Sequence, residues 1–276
     1  MSIKTIILTI IIILNAYQLE TSEKEVVVAT IPCLASIIKD CFKNLVKVEY
    51  LIPLGVDPHE AQLTSKQIEI IEKATVIVTT GGHLNIERKI RELALEETIK
   101  AKVLWIDDYQ AHGLKLLREN WFKENVNQHG IWLHPDNALA IAESTAEALA
   151  EKNPSKREEY LKSYEEFKVR IQEIKESFQT AFKKLNTSTN VIIAAPSLQY
   201  FADWLGFKVL DSIKKEEEYP ISKVEELVSK AENSAVILCP TGAPAQLASA
   251  AEELALKTMK PIVEIRVFWE GESYTH

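Results

Sequence analysis

The residues in this chain best suited to chemistry are its histidines, and they are unevenly placed. Five of the six, His59, His83, His112, His129 and His134, lie in the first half, and only His276 stands apart. The first three each follow a short apolar run. KVEYLI (47–52) leads to Gly55-Val56-Asp57-Pro58-His59, TVIVTT (75–80) to Gly81-Gly82-His83, and KVLWI (102–106) to Asp107-Asp108 and then His112. His129 and His134 flank the short apolar segment 131–133. Runs of four to six apolar, β-branched residues bounded by Gly and Pro read as buried strands. In open α/β sheets, ligands collect at the carboxyl ends of such strands. Several imidazoles brought to one rim form a donor set for a borderline transition ion, because neutral imidazole suits zinc and its neighbours. A lone histidine on a surface loop needs no such explanation, and His112 and His276 are read as bystanders.

Other chemistries find little support. Asp107 and Asp108 at a strand end, near His112, have the types needed for acid–base work. Ser197 follows a strand, but Ala195-Pro196-Ser197-Leu198-Gln199 lacks the glycines of a nucleophile elbow. There is no P-loop, GxGxxG or HExxH, and eight glycines in 276 residues leave few phosphate-cradling loops. The chain is therefore read as a binding protein, not an enzyme.

The elements that must position these residues alternate. Strands are expected at 25–30, 47–52, 75–80 and 102–106, with helices at 31–42, 65–73 and 86–95 between them. Strand–helix alternation implies a parallel sheet covered on both faces. From 135 to 185 the sequence is almost wholly helix-forming, broken only at Asn153-Pro154-Ser155. Its second part, 155–185, would run about 45 Å at 1.5 Å per residue, too long for one small lobe, so it is expected to act as a strut across two. The strand–helix rhythm then resumes, with strands at 190–194, 208–210, 235–239 and 261–265, and a helix at 221–231 capped by Ser222. The fold class expected is α/β: two parallel-sheet lobes joined by one long rigid helix, with a ligand cleft between them. The boundaries follow as a signal peptide or N-terminal anchor at 1–20, an N-terminal lobe at 24–135, a helical region at 136–188, and a C-terminal lobe at 189–276.

Charge and cysteine content narrow the setting. A net charge of −8 excludes the basic surface that phosphate neutralisation requires, so no nucleic-acid partner is expected. Lys4, an apolar run from Thr5 to Leu14 and Ala16 describe a secretory signal, too short for a comfortable membrane span. The three cysteines, Cys33, Cys41 and Cys239, form no CxxC pair. They are expected to be buried thiols, although one bridge is possible. The five tryptophans are read as packing residues, with Trp121-Phe122 in the polar segment 116–128 as a candidate exposed contact.

Four segments carry a family resemblance. LIPLGVDPHEAQLT (51–64) resembles the first signature of the solute-binding proteins of zinc and manganese ABC importers, and GIWLHPDNA (130–138) resembles their second. SLQYFADWLG (197–206) and PIVEI (261–265) match their second lobe more loosely. The resemblance covers residues 25 to 266. It implies two α/β lobes with a rigid linking helix, a metal in the cleft, export from the cytoplasm, and a membrane permease as partner for a monomeric receptor. It also implies a ligand at His59. At the family's other positions this chain departs: Gly130 replaces the second histidine, His134 the following Asp, Ala195 the second-lobe histidine, and Arg266 the final acid.

Three readings stay open at this stage. The site can have moved onto the first lobe, with His59, His83, His129 and His134 as ligands to Zn2+ or Mn2+, completed by water or Asp57. Arg266 and backbone amides can hold an anion or a metal chelate instead. Or the chain can be an adhesion or interaction scaffold without metal. Under the first, affinity should fall as pH drops through about 6.5, where imidazole protonates, and lobe movement on binding should be small.

Overall fold

In the computed structural model, residues 24–118, 126–184, 189–214, 224–269, 271 and 273–275 are described. The expected signal segment, Trp121-Phe122, the Ser222 cap and His276 lie outside them.

The N-terminal sheet is built from β1 (Val26–Ala29), β2 (Lys47–Tyr50), β3 (Val76–Val78) and β4 (Lys102–Leu104), in the order β2-β1-β3-β4 with every pairing parallel. Helices α1 (Pro32–Phe42), α2 (Ser65–Glu72) and α3 (Asn85–Leu95) fill the three crossovers, and α4 (Ile106–Ala111) follows β4. Val27, Val28, Val76, Ile77 and Val78 are sealed from solvent, as expected for a sheet covered on both faces. Local signals set the helix ends. Pro32 opens α1, where a missing N–H costs nothing, and Thr64 and Gln67 close a capping box at α2.

Helix α5 (Pro135–Lys152) is followed by a 3₁₀ turn (Pro154–Lys156) and the long helix α6 (Arg157–Lys183). The expected strut thus begins two residues late, because residues 154–156 are wound as the 3₁₀ turn that precedes it. Over its first half α6 packs on the N-terminal lobe. Tyr160 meets Phe42 edge-on, the Ser163 hydroxyl donates to the Cys41 carbonyl, and Arg170 donates to the Asp40 carbonyl. Its far end meets the second lobe through Phe178 on Trp204 and Phe182 on Phe207.

The second sheet repeats the first. β5 (Asn190–Ile193), β6 (Lys208–Ser212), β7 (Val236–Pro240) and β8 (Ile262–Ile265) pair in parallel in the order β6-β5-β7-β8. A 3₁₀ turn (Pro196–Leu198), α7 (Gln199–Trp204), α8 (Val224–Ala231) and α9 (Ala245–Thr258) accompany it. After β8 the chain crosses back to the first lobe. The Val267 carbonyl accepts from the Trp132 indole N–H at 2.9 Å, and Asp40 accepts from Ser273 and Thr275. Cys33, Cys41 and Cys239 are buried free thiols, and burial raises all three, Cys33 to about 12. Among the described residues no helix is long and apolar enough to cross a membrane.

Candidate metal centre

Three loops of the N-terminal lobe deliver His59, His83 and His129 to one point. Their ring centroids are 5.1–5.6 Å apart. One potential ligand atom from each lies within 4.8 Å of the others, a spacing a single ion can span. All three are half-buried.

His59 follows β2 through a turn. Its backbone N–H donates to Asp57 Oδ1 at 2.9 Å, and its carbonyl accepts from the Asn85 side chain at the start of α3. Asn85 therefore ties the His59 loop to the one that carries His83. That second loop leaves β3 through Gly81, whose φ of +119° is suited to glycine, and a Cβ there would lie 2.2 Å from Ile106. His83 Nδ1 lies 3.3 Å from Thr80 Oγ1, and Thr80 Oγ1 in turn donates to Glu87. The network assigns the Nδ1–H tautomer to His83, which leaves Nε2 as its acceptor nitrogen.

Glu87 anchors this arrangement. It is fully buried and accepts from the Thr30 hydroxyl, the Thr80 N–H, the Thr80 hydroxyl and the Gly82 N–H at 2.6–3.0 Å. Burial pushes its carboxyl pKa up, against the pull of these donors. A carboxylate orienting a histidine through a hydroxyl is the outer-shell pattern found around metal ligands.

His129 sits on the loop that touches the second lobe. Asn127 is buried, its Oδ1 accepts from the His129 N–H at 2.9 Å, and its Nδ2 donates to the Pro196 carbonyl and Gln199. Gly130 follows at φ +79°, and a Cβ there would lie 2.2 Å from the Ser197 carbonyl oxygen. Burial, then the charges of His59 and Lys214, hold His129 down to about 3. Its imidazole is therefore neutral at any pH well above that, the form a metal requires.

His134, the fourth expected ligand, is placed elsewhere. It caps α5, its Nδ1 accepting from the Asp136 N–H at 3.1 Å, and its Nε2 lies 3.6 Å from Asp203 in the second lobe. That contact, aided by Lys115, holds the Asp203 carboxyl below its ordinary range despite partial burial. Both ring nitrogens of His134 are thus engaged by protein. Asp57 is not grouped with the three imidazoles, and His112 lies between Glu143 and Glu147 of α5. Of the acid–base candidates, Asp108 accepts from the Trp105 N–H and pairs with Lys102 at the start of α4. On the second lobe, Ala195 is buried and Arg266 exposed.

Thr80, Asn85, Glu87 and Asn127 were not singled out in the sequence. Asn85 at a helix start carried a weak signal, as did Glu87 beside the apolar stripe of Ile86, Ile90 and Leu93. The other two gave none, since their partners are remote in the chain.

Comparison with known proteins agrees with this architecture. Residues 27–266 match the family model described as ZnuA, zinc-uptake complex component A, periplasmic. The manganese ABC transporter substrate-binding lipoprotein PsaA of Streptococcus pneumoniae is 24% identical over 220 residues, covering 76% of this chain and 69% of that protein. The metal ABC transporter substrate-binding lipoprotein SloC of Streptococcus mutans is 24% identical over 228 residues, covering 79% and 72%. A crystal structure of ZnuA superposes with a TM-score of 0.72 at 21% identity, over 90% of this chain and 92% of that one. The manganese-bound periplasmic metal-binding protein of Candidatus Liberibacter asiaticus gives 0.74 at 20% identity, over 91% and 94%.

Proposed function

Because this chain belongs to the ZnuA family of periplasmic zinc-uptake components, we propose that it captures zinc through His59, His83 and His129. It is the extracytoplasmic substrate-binding component of a metal ABC importer, and it performs no chemical step. Its partner is the membrane permease of that importer, to which it delivers the ion as a monomer.

One observation carries the choice of ligands: imidazoles from three separate loops each place a potential ligand atom within 4.8 Å of the other two. A tetrahedral zinc ion bound by three histidine nitrogens at about 2.0–2.1 Å keeps one open position. With Nδ1 of His83 on Thr80, its ligand nitrogen is Nε2. Manganese is the second choice. It is better served by carboxylate and carbonyl oxygen than by imidazole, and among the described residues the group contains no acidic side chain.

Calorimetric titration of the chain with zinc and with manganese tests the reading. Sub-micromolar zinc binding, weaker manganese binding, and loss of both in His59→Ala are expected. Absence of zinc binding, or equal binding by His59→Ala, would overturn it.

A further inference from the structure

The three candidate ligands are not held by the same body. His59 and His83 are fixed within the first lobe, through Asn85 and through the network of Thr80, Glu87 and Thr30. His129 joins their group, yet its backbone is fixed on the second lobe. Its N–H donates to Asn127 Oδ1 at 2.9 Å, and Asn127 Nδ2 donates to the Pro196 carbonyl at 2.9 Å and to Gln199 Oε1 at 2.8 Å. The Tyr200 hydroxyl donates to the Asn127 carbonyl and accepts from the Leu117 N–H at 3.1 Å, while the Asn127 N–H donates to the Leu117 carbonyl at 2.9 Å. Gly130 then lies so near Ser197 that a Cβ would stand 2.2 Å from its carbonyl oxygen.

Asn127, Gln199 and Tyr200 are all buried. Separating buried partners leaves donors and acceptors unpaired, which is costly, so the loop that carries His129 moves with residues 196–200. A zinc site keeps its ligand distances to within about 0.2 Å. A small shift of residues 196–200 relative to the first lobe is therefore enough to take His129 off an ion held by His59 and His83.

Resting on the three-histidine reading above, we propose that Asn127 is a positioning residue through which the second lobe holds His129 on the metal. The second lobe thus acts on the ion through a histidine that precedes the linking helix in the chain. Relative movement of the lobes changes the donor set from three imidazoles to two, and zinc affinity follows lobe position.

The test is calorimetric zinc titration of Asn127→Ala and Tyr200→Phe, each made in the unsubstituted chain and again in His129→Ala, with melting temperatures confirming that the variants fold. In the unsubstituted chain Asn127→Ala should weaken zinc binding about 10–100-fold, as loss of an outer-shell partner does, and Tyr200→Phe should weaken it about tenfold. In His129→Ala neither should cost more than about a further twofold, because residues that act through one ligand are not additive once it is gone. A merely structural role would weaken zinc binding equally with and without His129. That equal loss, or an Asn127→Ala affinity within threefold of the unsubstituted chain, overturns the inference and leaves the three-histidine site standing. Should Asn127→Ala fail to fold, Tyr200→Phe decides by the same two criteria. Zinc binding by His129→Ala as tight as by the unsubstituted chain overturns the underlying site and this inference with it.

Discussion

The two sheets share one strand order, β2-β1-β3-β4 and β6-β5-β7-β8, yet their rims are opposite in chemistry. Strand ends of the first lobe lead to His59 and His83, and the loop of residues 127–130 adds His129. At the second-lobe rim stand Ala195 after β5, Lys214 after β6 and Arg266 after β8. The scaffold is repeated and the ligand set is not. A parallel sheet fixes where loops emerge, while single residues in those loops decide what they hold. On the proposed function the walls of the cleft have different tasks: one presents nitrogen donors, and the other supplies contacts. Several of those contacts tie the lobes directly, among them Asn127 with Pro196 and Gln199, Trp132 with Val267, and Lys115 with Asp203. Together with α6 they favour small lobe movements.

The sharpest break in this comparison is removal of a donor. His129→Ala should weaken zinc binding by more than the 10–100-fold typical of losing an outer-shell partner. Calorimetry measures this, and a variant within threefold of the unsubstituted chain would remove His129 from the site.

Next comes a pair of glycines, one from each lobe, with nearly the same backbone. Gly130 has φ +79° and a Cβ there would strike the Ser197 carbonyl, whereas Gly206 has φ +77° and nothing within 4 Å. Gly206→Ala should cost only left-handed strain, about 1–2 kcal/mol. Gly130→Ala adds overpacking of about 1–3 kcal/mol and should also weaken zinc binding by displacing His129. Denaturant unfolding of both variants decides the point, and equal costs would mean that the loop yields freely.

Glu87→Gln replaces one acceptor oxygen by an NH2 group, which must then face either the Thr80 or the Gly82 N–H. Zinc affinity should fall about tenfold, with the His83 ring resonances broadening in NMR spectra of the zinc-free chain. An unchanged affinity would mean that His83 needs no support from Thr80.

The smallest effect is expected at His134. Loss of its cap should cost about 1 kcal/mol of stability, read by thermal melting, and leave zinc affinity as it was. A hundredfold loss of affinity would return His134 to the ligand set.

Much of this was legible in the sequence. The β-branched runs at 75–80 and 190–194 announced buried parallel strands, because a strand covered on both faces has no polar side to show. Helix-forming residues at 31–42 and 65–73 marked the first helices, and the helix-forming stretch after Pro154 marked the strut. His59 and His83 were legible as candidate ligands because each lies on the loop after a strand, and strand direction carries both to one rim. His129 and His134 were equally plausible beside one apolar segment, and nothing local separated them.

The sequence by itself therefore determined the periodic elements, their alternation into two lobes, and which loops carry imidazoles, since all three depend on residues close together in the chain. Only the tertiary structure decided which imidazoles meet. Asn127 pins the His129 loop to Pro196, Asp203 faces His134 from the second lobe, and Glu87 gathers Thr30 and Thr80 behind His83. Most of those partners are separated by tens of residues, and a hydrogen bond acts only within about 3 Å, so sequence spacing holds no record of it.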